Sequence, residues 1–285
     1  MLAPHPGAPL EYTYFKVNAG PLALLVDWIE RRKARESILR VSVHCPEKRA
    51  VLFEKLAAFT SGDRPFLSLE HTAGQLGEVA WDLAVEAGSA RLEPRLFGLN
   101  QLRLPDMRLI SAPLATFSGW MRCGAQRVER QCAPGLISHY WGRRLPHEWW
   151  WVSANQFDQE GLAVDCTVLR SGVWGLPLAL PFAHLYLHRA GTQQLWTAPP
   201  GGAEVRGSPE SFTIQFRRRG AGPLRLVARG RDYGDLGDGI INTLVGDLEI
   251  WEGDRLIARA ERTAGLERRF PDGSTVAGTA SHDRQ

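Results

Sequence analysis

Residues that favour turns recur every 10 to 20 residues along most of this 285-residue chain. Clusters of glycine, proline, asparagine and aspartate mark these places, for example at 18–21, 61–65, 199–202 and 234–239. Runs of strand length lie between them, such as the apolar segment 39–44. Short runs separated by regular turn signals are typical of antiparallel β proteins. The spacing therefore predicts a mainly β chain with few short helices.

Tryptophan is concentrated in one part of the chain. Four of the ten tryptophans lie between residues 141 and 151, and three of them are consecutive. Because side chains alternate across a strand, one face is predicted to carry indole rings together with polar groups. Its members are Trp149, Trp151, Ser153, Asn155 and Phe157, and the opposite face carries Trp150, Val152 and Ala154. Such a face is typical of a pocket for a large apolar ligand, although large aromatic side chains also fill protein cores.

The tryptophans belong to a longer motif of fixed spacing within residues 133–157. Its positions are Ala133, Pro134, Trp141, Gly142, Pro146, Trp149, Trp151, Val152, Asn155 and Phe157. This motif resembles the signature of tocopherol cyclases. More distantly, it is similar to a segment of the carotenoid 1,2-hydratases (hydroxyneurosporene synthases) and of the AttH lipocalin-like proteins. Weaker matches at 11–17 and 246–252 occur in the family's order, so the resemblance spans most of the chain, and only the central motif is specific.

The resemblance implies two packed lipocalin-like antiparallel units, each a β-barrel or sandwich, with a ligand cavity inside or between them. An N-terminal unit that carries the motif is expected over residues 1–170. A C-terminal unit is expected over 171–275, followed by a frayed tail at 276–285, with the junction near 172–181. Residues 22–36 have helical spacing, but the resemblance favours a strand over 22–29 that runs into a helical turn at 31–35.

In the resembled enzymes a proton is delivered to an isoprenoid double bond, and a phenol oxygen or water captures the carbocation. The relatives carry an acidic residue three or four positions before the motif's first tryptophan, where this chain has Ile137 and Ser138. The expected proton donor is therefore absent from its usual position. His139, which matches a histidine of the hydratase-like relatives, is the nearest titratable candidate. Asp232 is a second candidate for the acid, although glycine-rich aspartate runs are common hairpin turns.

The expected ligand-binding residues lie within the motif. They are Ser138, Tyr140, Trp141, Trp149, Trp151, Ser153, Asn155 and Phe157. Indole faces stabilise a passing cation by about 2 kcal/mol where water is excluded. These residues leave three interpretations open: an enzyme that cyclises or hydrates a prenyl double bond, a non-catalytic carrier of a hydrophobic small molecule, and a structural β protein whose tryptophans only fill a core.

Composition argues against several other classes of function. The four cysteines have neither metal-ligand nor disulfide spacing, so free thiols are expected, and no metal or cofactor is predicted. A net charge of +3 and separate basic clusters at 31–35, 143–144 and 217–219 argue against a nucleic-acid partner. No apolar run is long enough to span a bilayer and no signal peptide is recognisable, so a cytoplasmic location is expected. The arginine-rich surface allows at most a peripheral contact with the inner face of the membrane.

Overall fold

The computed structural model describes residues 5–46, 48–56, 70–88, 90–93, 107–173, 176–189, 191–198, 202–217, 220 and 222–270. Within these residues the chain forms β-strands and turns and contains no helix. The mainly β fold predicted from the turn spacing is therefore confirmed. The predicted tail at 276–285 lies outside the described residues. Over the described ranges, no helix is long and apolar enough to cross a membrane.

The strands fall into two antiparallel sheets, divided in chain order. The first sheet contains β1 (Leu10–Asn18), β2 (Ala23–Arg31), β3 (Glu36–Cys45), β4 (Lys48–Leu56), β5 (His71–Leu76), β6 (Val79–Glu86), β7 (Met107–Cys123) and β8 (Gln126–Gly142). The second sheet contains β9 (Glu148–Ala154), β10 (Leu162–Val173), β11 (Leu176–Arg189), β12 (Thr192–Ala198), β13 (Ala203–Ser208), β14 (Ser211–Phe216), β15 (Leu224–Arg229), β16 (Gly234–Gly237), β17 (Ile240–Glu252) and β18 (Arg255–Arg269).

In each sheet, the first strand of the unit pairs with the last. The order of the first sheet is β4-β3-β2-β1-β8-β7-β6-β5. The order of the second is β12-β11-β10-β9-β18-β17-β15-β14-β13, and β16 pairs with β17. The β1–β8 ladder places Tyr14 opposite Ser138, and the β9–β18 ladder places Trp151 opposite Glu267. Residues distant in the sequence are thereby brought side by side at the centre of each sheet.

Each sheet has its own apolar core, and a third apolar cluster lies between the sheets. Phe15 belongs to the core of the first sheet and Trp150 to that of the second. Their strand neighbours Tyr14 and Trp151 belong instead to the third cluster. This division follows from the two-residue period of a strand, which turns consecutive side chains to opposite faces. The outer faces of the two units are therefore packed against each other.

The chain passes from the first sheet to the second at residues 143–147. The resemblance predicted this boundary at residue 170, with a junction at 172–181. That region is the β10–β11 hairpin, which lies well inside the second sheet. The tryptophan motif is consequently divided between the sheets, because β8 ends at Gly142 and β9 begins at Glu148. Pro146 in the connection lacks the amide hydrogen that a continuing ladder requires, which is consistent with a break at this point.

The segment that had both a helical and an extended interpretation is a strand. Residues 23–31 form β2, as the resemblance favoured. Residues 32–35 form the turn of the β2–β3 hairpin rather than a helical turn. Arg35 adopts a φ of 53°, a left-handed conformation that closes the hairpin. The helical spacing of the apolar residues in this segment is overridden because both faces of β2 are buried.

Candidate functional site

A cavity lies between the two sheets, at the third apolar cluster. Its volume is about 50 Å³, within a cleft whose whole empty space, counted out to the solvent, is about 510 Å³. Five aromatic side chains line it: Tyr12, Tyr14, Tyr140, Trp149 and Trp151. Ligand pockets typically measure about 300 to 1,000 Å³, so this cavity as it stands holds only a small group. The large ligand expected from the sequence therefore requires the cleft to widen.

Glu267 supplies the carboxyl group that lines this cavity. The indole Nε1 of Trp149 donates a hydrogen bond of 2.8 Å to Oε1, and Asn242 Nδ2 donates one of 3.1 Å to Oε2. Burial raises the pKa of Glu267, while the charge of Arg40 and the two hydrogen bonds act in the opposite direction. A carboxyl group with a raised pKa beside aromatic rings has the properties of a general acid.

Two tyrosines form the polar side of the cavity. Tyr14 and Tyr140 stack with their ring centroids 6.1 Å apart and their planes 14° apart. The side chains of Thr167 and Tyr14 lie beside the hydroxyl of Tyr140, and the side chain of Ser138 lies beside the hydroxyl of Tyr14. Burial raises the pKa of both phenols, so they stay neutral. They can therefore donate hydrogen bonds to an oxygen of a bound molecule.

A second buried carboxyl group lies behind the tyrosines. Ser138 Oγ donates a hydrogen bond of 2.9 Å to Ser111 Oγ, and Ser111 Oγ donates one of 3.1 Å to Asp165 Oδ2. The indole of Trp151 donates a hydrogen bond of 2.9 Å to Asp165 Oδ1. Burial raises the pKa of Asp165 to about 6, and the hydrogen bonds from Trp151 and Ser111 oppose it. Ser138 stands at the position where the resemblance predicted an acidic residue. The carboxyl group of Asp165, on β10, is linked to it through two hydrogen bonds.

Lys16 is buried in the same layer between the sheets. Its side chain is 1% exposed, and Nζ donates a hydrogen bond of 3.2 Å to the carbonyl oxygen of Thr263. Burial lowers the pKa of Lys16 to about 7, against the charge of Asp165. Gly265 makes room for it, because a Cβ at that position would lie 2.8 Å from Lys16 Cε and 3.0 Å from the Trp151 ring. Lys16 and Asp165 therefore both titrate, in the folded protein, close to neutral pH.

His139 does not reach the cavity. It follows Ser138 and precedes Tyr140 on β8, so its side chain points to the opposite face of the strand. There its Nε2 lies 2.7 Å from Glu11 Oε1, and both side chains are buried. Its ring centroid is also 5.1 Å from that of Trp141. The residue favoured as the acid from the sequence thus lies in a hydrogen-bonded cluster on the inner side of the first sheet.

Asp232 is also remote from the lining of the cavity. It is exposed in the turn before β16, where its φ is 54°. Its backbone carbonyl lies 3.2 Å from His44 Nε2. The neighbouring Tyr233 donates its hydroxyl hydrogen bond to the carbonyl oxygen of Pro209, at 2.6 Å. This segment has the turn structure that the glycine-rich run also suggested.

The structure brings three of the predicted ligand-binding residues to the cavity wall. Tyr140, Trp149 and Trp151 line it, and Ser138 lies directly behind it through Tyr14. The predicted alternation along β9 is observed for the tryptophans, because Trp150 packs in the core of the second sheet. Two indoles therefore face the cavity, and the third stabilises one unit.

The other predicted ligand-binding residues have different surroundings. Ser153 is buried on β9 but is not part of the wall. Trp141 stacks on His5, with ring centroids 4.0 Å apart. Asn155 Nδ2 donates a hydrogen bond of 2.8 Å to a carbonyl oxygen of β8, and Phe157 packs against the core of the second sheet. Since β9 ends at Ala154, the alternation assumed for Asn155 and Phe157 does not extend to them.

The two carboxyl groups of the site were not among the predicted residues. Asp165 had a recognisable signal, because it is the only charged residue in the largely apolar segment 162–169 of β10. Glu267 had none, since it lies in a charged stretch of β18 beside Arg268 and Arg269. Among the described residues, no group of three histidine, cysteine, aspartate or glutamate side chains is arranged to hold a metal ion.

No protein-family model matches this chain, and no curated protein matches it. Its fold is similar to that of several solved structures. A protein assigned as an AttH of Nitrosomonas europaea has a TM-score of 0.62, with 13% identity over 93% of each chain. Kievitone hydratase from Nectria haematococca has a TM-score of 0.63, with 9% identity over 95% of this chain and 91% of that one. CghA with Sch210972 has a TM-score of 0.60, with 12% identity over 93% of this chain and 89% of that one.

At these identities the likeness shows the fold alone. Fold and cavity together define a lipocalin-like β protein of two antiparallel units, with its cavity between the units rather than inside either one. The AttH-like and hydratase-like part of the expected resemblance agrees with these neighbours.

Proposed function

We propose that this protein binds an apolar small molecule between its two sheets and adds water or an internal hydroxyl group across a double bond of that molecule. The observation that carries this proposal is the carboxyl group of Glu267, which lines an aromatic cavity and has a raised pKa. Proteins of similar fold lend support, since one is named as a kievitone hydratase and another, CghA, was crystallised with Sch210972.

Glu267 would act as the general acid. Its protonated carboxyl group donates a proton to one carbon of the double bond, and the positive charge develops on the other carbon. The oxygen of water or of the hydroxyl group attacks that carbon and then loses its own proton. That proton returns to the Glu267 carboxylate, so the acid is regenerated and no external reactant besides water is needed.

The aromatic wall would stabilise the cationic intermediate. Trp149 and Trp151 present indole rings to the cavity, and Tyr14 meets Trp151 edge to face at a centroid distance of 6.0 Å. A cation over an indole face is stabilised by about 2 kcal/mol or more when water is excluded. Tyr14 and Tyr140 would orient an oxygen of the substrate, and Asp165 would act as a positioning residue by holding the Trp151 indole.

The resemblance of the tryptophan motif to tocopherol cyclases suggests the class of substrate. A prenylated phenol would place its prenyl double bond against the indoles and its hydroxyl group near the two tyrosines. A linear isoprenoid without a phenol would leave water as the attacking group. The cytoplasmic location and the peripheral membrane contact remain predictions.

Conversion of prenylated phenols and linear isoprenoids, followed by mass spectrometry, tests this function. Hydration adds the mass of one water, whereas cyclisation leaves the mass unchanged and shifts the retention time. We expect one of these products with the wild-type protein and at least about 100-fold less of it with Glu267→Gln, which keeps the size of the side chain. Binding of these compounds without any conversion by the wild-type protein would contradict the catalytic proposal.

The second candidate function is that of a non-catalytic carrier. Ser138 at the position of the relatives' acid favours it, because a carrier requires no proton donor. Under this alternative Glu267→Gln retains or strengthens binding, since a neutral amide costs less to bury than a carboxylate. Quenching of tryptophan fluorescence by the same compounds measures the affinity of both proteins.

A further inference from the structure

A wide groove adjoins the cavity, and its charge is unlike that of the cavity wall. Its volume is about 440 Å³. Among the described residues that line it, five are cationic and the only carboxylate is that of Asp238. The cationic residues are Arg31, Lys33, Arg143, Arg144 and Arg269. We call this depression the basic groove. Two of the basic clusters that are separate in the sequence, at 31–35 and 143–144, thus converge at one place.

Two of these arginines have defined contacts: Arg31 with carboxylates, including Glu36 at 3.9 Å, and Arg269 with backbone carbonyls. The guanidinium group of Arg31 pairs with the carboxylate of Asp238. Arg269 Nε donates a hydrogen bond of 3.2 Å to the backbone carbonyl of Asp238, and its guanidinium group also donates to the carbonyl of Pro146. Backbone carbonyls satisfy donors without neutralising the positive charge. Even with Arg31 paired, the described lining of the groove holds more cationic than anionic side chains.

The basic groove and the cavity are consecutive along the same strand faces. On β1, Leu10 lines the groove and Tyr12 lines the cavity. On β18, Arg269 lines the groove and Glu267 lines the cavity. Leu145 lines both. Two residues of a strand span about 7 Å, so a single small molecule is long enough to occupy both places.

We propose that the ligand is an amphiphile whose anionic head group, a phosphate or a carboxylate, binds in the basic groove while its apolar tail enters the cavity, where the cleft widens to admit it. Arginine guanidinium groups match the geometry of these anions through paired hydrogen bonds. The position of the tail rests on the proposed function, whereas the head-group site rests on the charge and the shape of the groove. The double bond to be modified would lie near Glu267, a few carbon atoms from the head group.

The same anionic chemistry is offered by a free metabolite and by a lipid head group in a membrane. We assign the groove to a free amphiphile, because the groove continues into the aromatic cavity, which a lipid that stays in a bilayer would not reach. Geranyl phosphate and geraniol are matched probes with the same tail, and inorganic phosphate supplies the head group alone. Vesicles of phosphatidylcholine, with or without phosphatidylglycerol, test the membrane source.

Calorimetric titration of the full chain with these probes is the decisive experiment. We expect geranyl phosphate to bind about tenfold or more tightly than geraniol, as for hydrogen bonds to a charged group. The double variant Arg143→Gln with Arg144→Gln should remove most of this difference. The control variant Arg206→Gln with Arg255→Gln loses the same charge on exposed residues. This control should bind the probes like the wild type. Arg255 and Arg269 lie at the two different ends of the β17–β18 ladder, so Arg255 is far from the groove.

The possible failures are distinguishable. Equal affinities for geranyl phosphate and geraniol would overturn the head-group site and leave the proposed function standing. Binding of inorganic phosphate as tight as that of geranyl phosphate, abolished by the groove variant, would support the anion site and contradict a tail in the cavity. Binding to phosphatidylglycerol vesicles, without a preference for geranyl phosphate over geraniol, would overturn the assignment to a free amphiphile.

Discussion

Two buried polar clusters lie on opposite faces of the strands that close the first sheet. On the inner side, His139 is hydrogen-bonded to Glu11, which also pairs with Arg32. On the outer side, Ser138 leads through Ser111 to Asp165. The inner cluster lies away from the aromatic cavity, whereas the outer one adjoins it through the tyrosines. Ser138 and His139 are consecutive on β8, so neighbouring residues belong to different clusters. The cluster of Ser138 adjoins the candidate site, and that of His139 lies on the other face of the sheet.

The tryptophans of β9 repeat this contrast in the second sheet. Trp150 faces inward and packs on Phe212, with ring centroids 4.6 Å apart. Trp149 and Trp151 face outward and donate their indole hydrogens to Glu267 and Asp165. Inward residues should therefore control stability, and outward residues should control binding and turnover. Paired substitutions on the two faces test this difference in role.

The largest expected effect concerns the candidate acid. Glu267→Gln should lower kcat by about 10²- to 10⁴-fold, because it removes the proton donor from the cavity. His139→Gln should leave kcat within about threefold of wild type and lower the free energy of unfolding by about 1 to 3 kcal/mol, as for a lost buried hydrogen bond. Turnover assays and urea unfolding measure both quantities. A kcat loss in the His139 variant alone would reverse the assignment of the two faces.

The indole rings provide the next contrast. Trp150→Ala should lower the free energy of unfolding by about 3 to 5 kcal/mol, because it leaves a void in the core of the second sheet. Trp151→Ala should weaken the binding of an apolar ligand more strongly than Trp150→Ala does, when both are compared under conditions where they are folded. Urea unfolding and fluorescence titration give the two quantities. Equal losses of binding in both variants would show that the cavity does not depend on the outward face.

Lys16 should destabilise the folded protein near neutral pH. Its pKa is about 7 in the folded state and has its ordinary value of 10.5 when the chain is unfolded. As pH falls from 10.5 to 7, the unfolded state binds the proton first, so the stability of the wild type falls. Lys16→Met should remove this slope and raise the free energy of unfolding at pH 7 by about 2 to 4 kcal/mol. Lys48→Met, at an exposed ion pair with Glu78, is the control and should change little.

Asp165 should give a smaller slope of the opposite sign. Its pKa is about 6 in the folded state, above its ordinary value of 3.8. The unfolded state therefore loses its proton first as pH rises from 3.8 to 6, and the stability of the wild type decreases over this window by about 2 kcal/mol. Asp165→Asn should flatten this part of the profile, whereas Asp254→Asn, at a fully exposed side chain, should not. An unchanged slope in the Asp165 variant would place the titrating group elsewhere.

Local pattern was sufficient to predict much of the architecture. Turn residues at short intervals indicated many strands, although at β2 the local spacing was helical and burial of both faces overrode it. The two-residue period also assigned Trp150 to one face and Trp149 and Trp151 to the other. These features depend on a few neighbouring residues, whose turn preferences and alternating polarity act within one hairpin.

Long-range pairing decided the rest. The chain leaves the first sheet at residues 143–147, so its tryptophan motif is shared between two sheets, which no local pattern indicated. Glu267 reaches the indoles because β18 pairs with β9 across more than one hundred residues of sequence. Asp165 meets Ser111 only because the outer faces of the two units pack together. Local sequence thus specifies most of the strands and the faces of the three consecutive tryptophans, whereas the acid of the site arises from tertiary packing, since burial against distant strands raises the pKa of a carboxyl group.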